Sequence, residues 1–331
     1  MTYLLKRLVQ GILILIGVSI ITFSLQYFFG NSRAIAFELL GQRATPAAIN
    51  AFLHRFGLDQ PFLTQYWNWV QHACRGDLGL SFYDSARYHH IITVNQIVGS
   101  NVWRSIWLTF IPTVVSSLIA IPIGLSQAVR RNKFYDHSVT TFVYVLYSTP
   151  AVIVCLLLSY YCALNWHIGT IRFSPEAQQV SASAFPLWMI QHFNQFILPF
   201  VAIILLSIGG LTRFMRGSAL DTLIQDHVRT ARAKGASPAR VIFRHVLRPS
   251  SIPLITIFGL SLPGIIGGAL VVENVFDFPG MGVLATQSVT IGNYPIVMAI
   301  TIYGAILTVV GNFLADVLVT VADPRVRRGV A

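Results

Sequence analysis

Between Arg229 and Arg248 the chain places Arg229, Arg232, Lys234, Arg240, Arg244 and Arg248 with no Asp or Glu among them. Cations at this density bind anionic surfaces through charge-assisted hydrogen bonds and make no covalent bonds themselves. Little else in the sequence is equipped for catalysis. Cys74, Cys155 and Cys162 have no metal-ligand spacing, and neither do His167, His192 and His245, so no metal site and no disulfide framework is expected. No Gly-x-x-x-x-Gly-Lys-Ser/Thr phosphate loop occurs, so ATP hydrolysis is not expected of this chain. Asp316 and Glu273 are ionisable groups in apolar stretches, where a carboxylate is costly and therefore a functional suspect. For both, a structural hydrogen bond is the preferred reading over contact with substrate.

The elements that must position the basic residues are legible as periodicity. Leu220, Leu223, Ile224, Val228 and Ala231 recur at helical spacing opposite Asp221, Gln225, Arg229 and Arg232, which predicts one amphipathic helix. Gly235 suits its C-terminal cap, Ser237 the cap of a second helix, and Pro238 that helix's first turn. In the second helix Ile242, Phe243, Val246 and Leu247 are expected on one side, with Arg240, Arg244 and Arg248 along another. A DNA-binding helix-turn-helix is disfavoured because apolar stretches tether the insert at both ends. Attraction to anionic lipid accounts for the arginines but not for the Gly-Ala-Ser-Pro turn. A bent element that docks in a partner's groove accounts for both.

With 54% hydrophobic and 11% charged residues, the 331-residue chain reads as an all-α integral membrane protein. Six stretches are apolar over about 20 residues, enough to cross a hydrocarbon core: 8–28, 103–125, 139–164, 196–215, 252–272 and 296–319. The first is too long for a signal peptide and lacks a small-x-small cleavage pattern after it, so it is read as a retained span. Placing both termini in the cytoplasm puts Lys6 and Arg7, Arg130, Arg131 and Lys133, the basic insert, and Arg325, Arg327 and Arg328 on that side. The expected organisation is a first span within 1–29, an external segment over 30–100 and a core of five spans over 101–331, with the basic loop at about 216–250. In the external segment Thr45 and Pro46 open a helix with an Ile49, Phe52, Leu53 and Phe56 stripe that Gly57 ends. Phe62, Tyr66, Trp67 and Trp69 suit a membrane interface or a partner, although packing on the chain's own spans is the preferred reading. Gly259, Pro263, Gly264, Gly267 and Gly268 permit close packing or a hinge in the fifth span.

The stretch "RTARAKGASPARVIFRHVLRPSSIPL" resembles the cytoplasmic loop of permease subunits in bacterial ATP-binding-cassette importers, specifically the peptide and nickel group. Gly235 matches that loop's glycine, and Arg229, Thr230 and Ala231 stand in its Glu-Ala-Ala places. Four further stretches look like landmarks of the same family: "RGDLGLSF" at 75–82, "VVENVFDFPGMGVL" at 271–284, "NYP" at 293–295 and "ADPRVR" at 322–327. Asn293 departs from the aspartate common there. With the long first external segment, these point to the B-type member of a paired B and C permease.

The resemblance implies a type I importer fold with six transmembrane helices in the bacterial inner membrane. It implies three kinds of partner: a C-type permease subunit, two ATP-binding subunits or a fused pair, and an extracytoplasmic substrate-binding protein. ATP and Mg2+ would sit on the ATPase subunits, and no cofactor on this chain; membrane lipid is a further partner and nucleic acid is not. The coupling residues implied are Arg229, Thr230, Ala231, Lys234, Gly235, Ala236, Ser237, Pro238, Arg240 and Arg244. The implied external motif comprises Glu273, Asn274, Phe276, Pro279, Gly280 and Gly282. Oligopeptide or dipeptide is the expected cargo, with nickel, glutathione or a short sugar as alternatives within the class. A secondary transporter or channel is the alternative outside it, and midplane charges or inverted repeats that would favour it are not evident.

Overall fold

A computed structural model describes residues 2–30, 32–41, 44–81, 92–251, 254, 257 and 269–322. Among them the chain is helical, with one isolated antiparallel bridge between Leu80 and Thr93. It folds as two compact units, Met1–Arg104 with Gly280–Val309 and Ser105–Pro279 with Val310–Ala331.

In the first unit α1 (Thr2–Phe29) holds an apolar stretch, Val9–Phe29, long enough to cross a bilayer. Helices α2 (Ser32–Leu40), α3 (Pro46–Arg55) and α4 (Phe62–Cys74) follow. Helix α3 has the expected signals: Ala48 N–H donates to the Thr45 hydroxyl at 3.3 Å, and Pro46 begins the first turn. Helix α2 was not anticipated by the sequence pattern. Three aromatic residues of α4 lie against α1: Phe62, Tyr66 and Trp69 all have ring centroids within 6 Å of Phe23. The Ser19 and Tyr66 hydroxyls share a 2.8 Å hydrogen bond. Trp67 does not join them and is 61% exposed.

The long helix α5 (Val94–Val129) exceeds the expected second span at both ends and carries Pro112 and Pro122 within it. The third expected span is not one helix. Helices α6 (Phe134–Ser148) and α7 (Ala151–Leu158), the latter extended by a π-wound Ser159–Asn165, meet at a bend of 99°. Pro150 causes the break: it has no N–H to continue the ladder, and it forces Thr149 into an extended conformation with ψ 126°. After α8 (Phe185–Gln191), α9 (Phe193–Leu223) passes through the expected fourth span and runs on beyond it. Helices α5 and α9 approach closely at Gly124, where a Cβ would stand 2.6 Å from the Thr212 carbonyl.

The second unit has two apolar clusters. One gathers Phe173, Phe185, Phe196 and Phe278 edge to face, with Phe276 buried among them. The other lies under the basic insert. The remaining helices are α10 (Asp226–Ala233), α11 (Pro238–Arg240, continuing through Val241–Leu247 and Arg248–Ser250), α12 (Leu270–Phe276), α13 (Met281–Thr290) and α14 (Tyr294–Ala322). Four helices are long and apolar enough to cross a membrane, or five if the bent pair is one span, among the described residues. Most of the fifth expected span, with Gly259, Pro263, Gly264, Gly267 and Gly268, lies outside the described residues, as do Phe82, Arg325, Arg327, Arg328 and the side chain of Asp316.

Candidate coupling site

The basic insert folds as two short helices, but not with the expected boundaries. The predicted single helix through Leu220 to Ala231 is interrupted: α9 ends at Leu223, Gln225 is extended at ψ 150°, and α10 starts at Asp226. Ile224, expected on the apolar side, is 64% exposed at this corner, while Val228 and Ala231 are buried. Asp226 in the first turn and Arg232 in the last complement the dipole of α10.

The turn itself is tightly specified. Gly235 is left-handed at φ +79°, its N–H donates to the Arg232 carbonyl at 3.0 Å, and the Ala236 N–H donates to that of Ala231 at 3.2 Å. This pair of bonds is a Schellman closure, which requires a residue free to adopt positive φ. Two residues on, the Ser237 hydroxyl accepts from the Arg240 N–H at 3.4 Å, and Pro238 occupies the first turn of α11. Ala236, half-buried, connects two exposed capping residues.

Helix α11 then departs from the α-helical reading. Its Val241–Leu247 stretch is π-wound, so residues five apart come onto one side. Val241 and Val246 are accordingly the buried pair, and Phe243, assigned by the α period to the apolar face, is 67% exposed. Arg240, Arg244 and Arg248 are exposed, as are Arg229, Thr230 and Lys234. Beneath them Leu125, Met215, Ala219, Val228, Ala231, Val241 and Val246 form one buried cluster, which seats the insert on the ends of α5 and α9. The Ser250 hydroxyl donates to Thr222 Oγ1 at 2.9 Å, tying the end of α11 to the end of α9. A cleft of about 470 Å³ opens beside the turn, with Arg131 and Arg232 in its wall and Leu223, Pro238 and Ile242 among its apolar residues.

Periodicity did not single out the strongest polar contact of this region. Arg216 on α9 donates from Nε and Nη2 to the two carboxylate oxygens of Asp136 on α6, each at 2.8 Å. Asn132, left-handed at φ 62°, donates its backbone N–H to the same carboxylate at 3.0 Å. Gln127 on α5 donates to the Thr140 hydroxyl at 3.0 Å. Nothing local marks the pair: Asp136 stands three residues after Lys133, and its partner is eighty residues further along the chain. By contrast Arg229, in the place of the glutamate, makes an exposed 3.9 Å pair with Asp226 one turn back.

The residues of the second motif are distributed between the units. Glu273 is fully buried in α12 and accepts a 2.7 Å hydrogen bond from the Ser105 hydroxyl. Phe276 is buried in the aromatic cluster, and the exposed Asn274 donates to the Leu270 carbonyl. Asp277 closes α12 in the left-handed region at φ 53°, which aspartate tolerates better than most residues. Pro279 is buried at the end of that unit's first segment. In the other unit Gly280 caps α13 and Gly282 is buried in its first turn. The stretch from Glu273 to Pro295 is largely helical. In the first unit Asn293 is buried and donates to the Ser81 hydroxyl at 3.0 Å.

Helices of membrane-spanning length, two of which, α5 and α9, carry a capped basic protrusion at their ends, define an integral membrane protein. The family model for the binding-protein-dependent transport system inner membrane component matches residues 120–328, and that family's N-terminal membrane-component model matches residues 1–97. The chain belongs to this family and is an inner-membrane protein. It is 31% identical over 329 residues to the oligopeptide transport system permease protein AppB of Bacillus subtilis, covering 98% of both chains. It is 32% identical over 334 residues to the oligopeptide permease OppB of Mycobacterium tuberculosis, again over 98% of both. The glutathione transport system permease GsiC of Salmonella choleraesuis is 30% identical, with 99% of both chains covered.

Proposed function

We propose that this chain is the B-type permease subunit of an ATP-driven importer that takes up oligopeptides or dipeptides. It crosses the membrane six times with both termini in the cytoplasm, the broken α6 and α7 pair being one span and the stretch around 252–272 another. Residues 1–29 hold the first span, 30–100 an extracytoplasmic segment and 101–331 the core. A C-type permease subunit completes the pathway, two ATP-binding subunits or a fused pair bind ATP and Mg2+, and an extracytoplasmic binding protein delivers cargo. The names of the relatives support peptide as cargo, and glutathione, itself a small peptide, is the nearest variant.

The observation that carries the coupling role is the rigid bend between α10 and α11. Two hydrogen bonds close its glycine turn, a serine caps its exit, and buried valines seat it on the ends of membrane helices. A protrusion held in this way passes a change in ATPase spacing to α5 and α9 as a displacement, whereas a flexible basic tail would absorb it. The exposed Arg229, Thr230, Lys234, Ser237, Arg240 and Arg244 form the docking surface, with Gly235 setting its angle.

Gly235 gives a direct test. A Cβ there would meet nothing within 4 Å, so a substitution acts through backbone strain alone. Positive φ costs an L-residue about 1–2 kcal/mol, and β-branching adds to this, whereas Asn visits the region more readily. Gly235→Val is expected to abolish uptake of labelled peptide while leaving capture of the binding protein intact, and Gly235→Asn to retain partial uptake. Normal uptake by Gly235→Val would exclude the docking assignment.

A further inference from the structure

The break between α6 and α7 borders an open cleft of about 640 Å³, lined by Thr140, Thr141, Tyr144, Ser148 and Thr149 together with Val145, Pro150 and Ile153. Two of these hydroxyls are engaged locally: Thr140 accepts from Gln127 at 3.0 Å, and Thr149 donates to the Val145 carbonyl at 2.7 Å. Thr141, Tyr144 and Ser148 are exposed and follow at i, i+3 and i+7, so they form a stripe along one side of α6. Measured along the helix from Lys133, the stripe runs from about 12 to about 22 Å. That range lies inside a hydrocarbon core of roughly 30 Å when α6 enters at its basic turn. The surfaces of α1 are different in kind, exposing Leu13, Ile14, Ile20 and Ile21.

Two physical constraints meet here. Irregular backbone at membrane depth is tolerated where it is covered by protein or lines a water-filled cavity, and the broken turn at Thr149 and Pro150 stands beside an open one. Hydroxyls both donate and accept, so a row of them can exchange hydrogen bonds with successive carbonyl and N–H groups of a peptide main chain without reading its side chains. We propose that this cleft is a stretch of the translocation pathway and that Thr141, Tyr144 and Ser148 hydrogen-bond the main chain of a peptide in transit. The proposal rests on the permease function above and adds the residues that face its cargo.

The test uses the assembled transporter in proteoliposomes, with Thr141→Cys, Tyr144→Cys or Ser148→Cys introduced singly and Cys74 and Cys162 replaced. The fully buried Cys155 is kept. Peptide import by the unlabelled complex is measured first, and its absence counts against the permease function itself. A charged, water-soluble methanethiosulfonate should then label all three positions, at rates that change at least severalfold between the nucleotide-free and vanadate-trapped states, and should block import. Cysteines at Leu13 and Ile21 should remain unlabelled. Absence of labelling at the three positions in both states would overturn the proposal, whether they prove to face lipid or cross-link to the second permease subunit. The near-isosteric variants Thr141→Val, Tyr144→Phe and Ser148→Ala provide a label-free arm. Each should lower import by roughly fivefold, the equivalent of one hydrogen bond, and by the same factor for peptides that differ only in side chains. Unchanged import, or a loss confined to particular side chains, would refute main-chain recognition.

Discussion

Replacing Asp136 by asparagine keeps the shape of the side chain and removes its charge, which makes it a direct probe of how α6 is held to α9. The carboxylate is 2% exposed and receives three hydrogen bonds, two from Arg216 and one from the Asn132 N–H. An asparagine oxygen in the Oδ2 position can keep the bonds from Arg216 Nη2 and Asn132. Its amide nitrogen then faces Arg216 Nε, donor against donor. Removing one partner of a buried ion pair costs about 3–5 kcal/mol, mostly through the charge left behind. Arg216 retains 29% exposure and can be partly rehydrated, so the low end, about 3 kcal/mol, is expected. For a chain of this size that corresponds to a fall of roughly 5 °C in the melting temperature, measured by fluorescence-detected size exclusion of the detergent-solubilised transporter. Asp226→Asn is the matched control. Its pair with Arg229 is 3.9 Å long between side chains 97% and 71% exposed, and such pairs contribute within about 0.5 kcal/mol. Equal melting temperatures for Asp136→Asn and wild type, or an equal fall in the Asp226→Asn control, would refute the reasoning.

Phe23→Ala should detach α4 from α1, because Phe23 is 5% exposed and holds the rings of Phe62, Tyr66 and Trp69. A loss of about 3–5 kcal/mol is expected, seen as proteolytic cleavage between α3 and α4 at lower protease concentration than in wild type. Ser105→Ala deletes the 2.7 Å donor to the buried Glu273 and is expected to cost about 1–3 kcal/mol. The double variant Ser105→Ala with Glu273→Gln should lose less than the sum of the two single changes. Strict additivity in the same melting assay would show that the two side chains are not coupled.

The sequence alone determined the features that depend on a few neighbouring residues or on average composition. Apolar length marked α1, α5, α9 and α14 as membrane helices, because crossing hydrocarbon requires about 20 apolar residues whatever surrounds them. Thr45 with Pro46, Ser237 with Pro238, and Gly235 were readable as caps because a cap is satisfied within three or four residues. Periodicity failed where winding or direction changed. It predicted one helix through Ile224, placed Phe243 on the buried side of α11, and ran a straight span through Pro150, whereas the chain has a corner, a π winding and a 99° bend. The bend follows from Pro150 itself, whereas the π winding depends on what the neighbouring helices leave room for: Val241 and Val246 are buried because α5 and α9 present a cluster to them, and a π turn is the local geometry that aligns both. The pairing of Asp136 with Arg216, eighty residues away, was likewise invisible in the sequence. Local rules fix the apolar spans and the caps, but the partner of a buried charge is decided only when the helices pack.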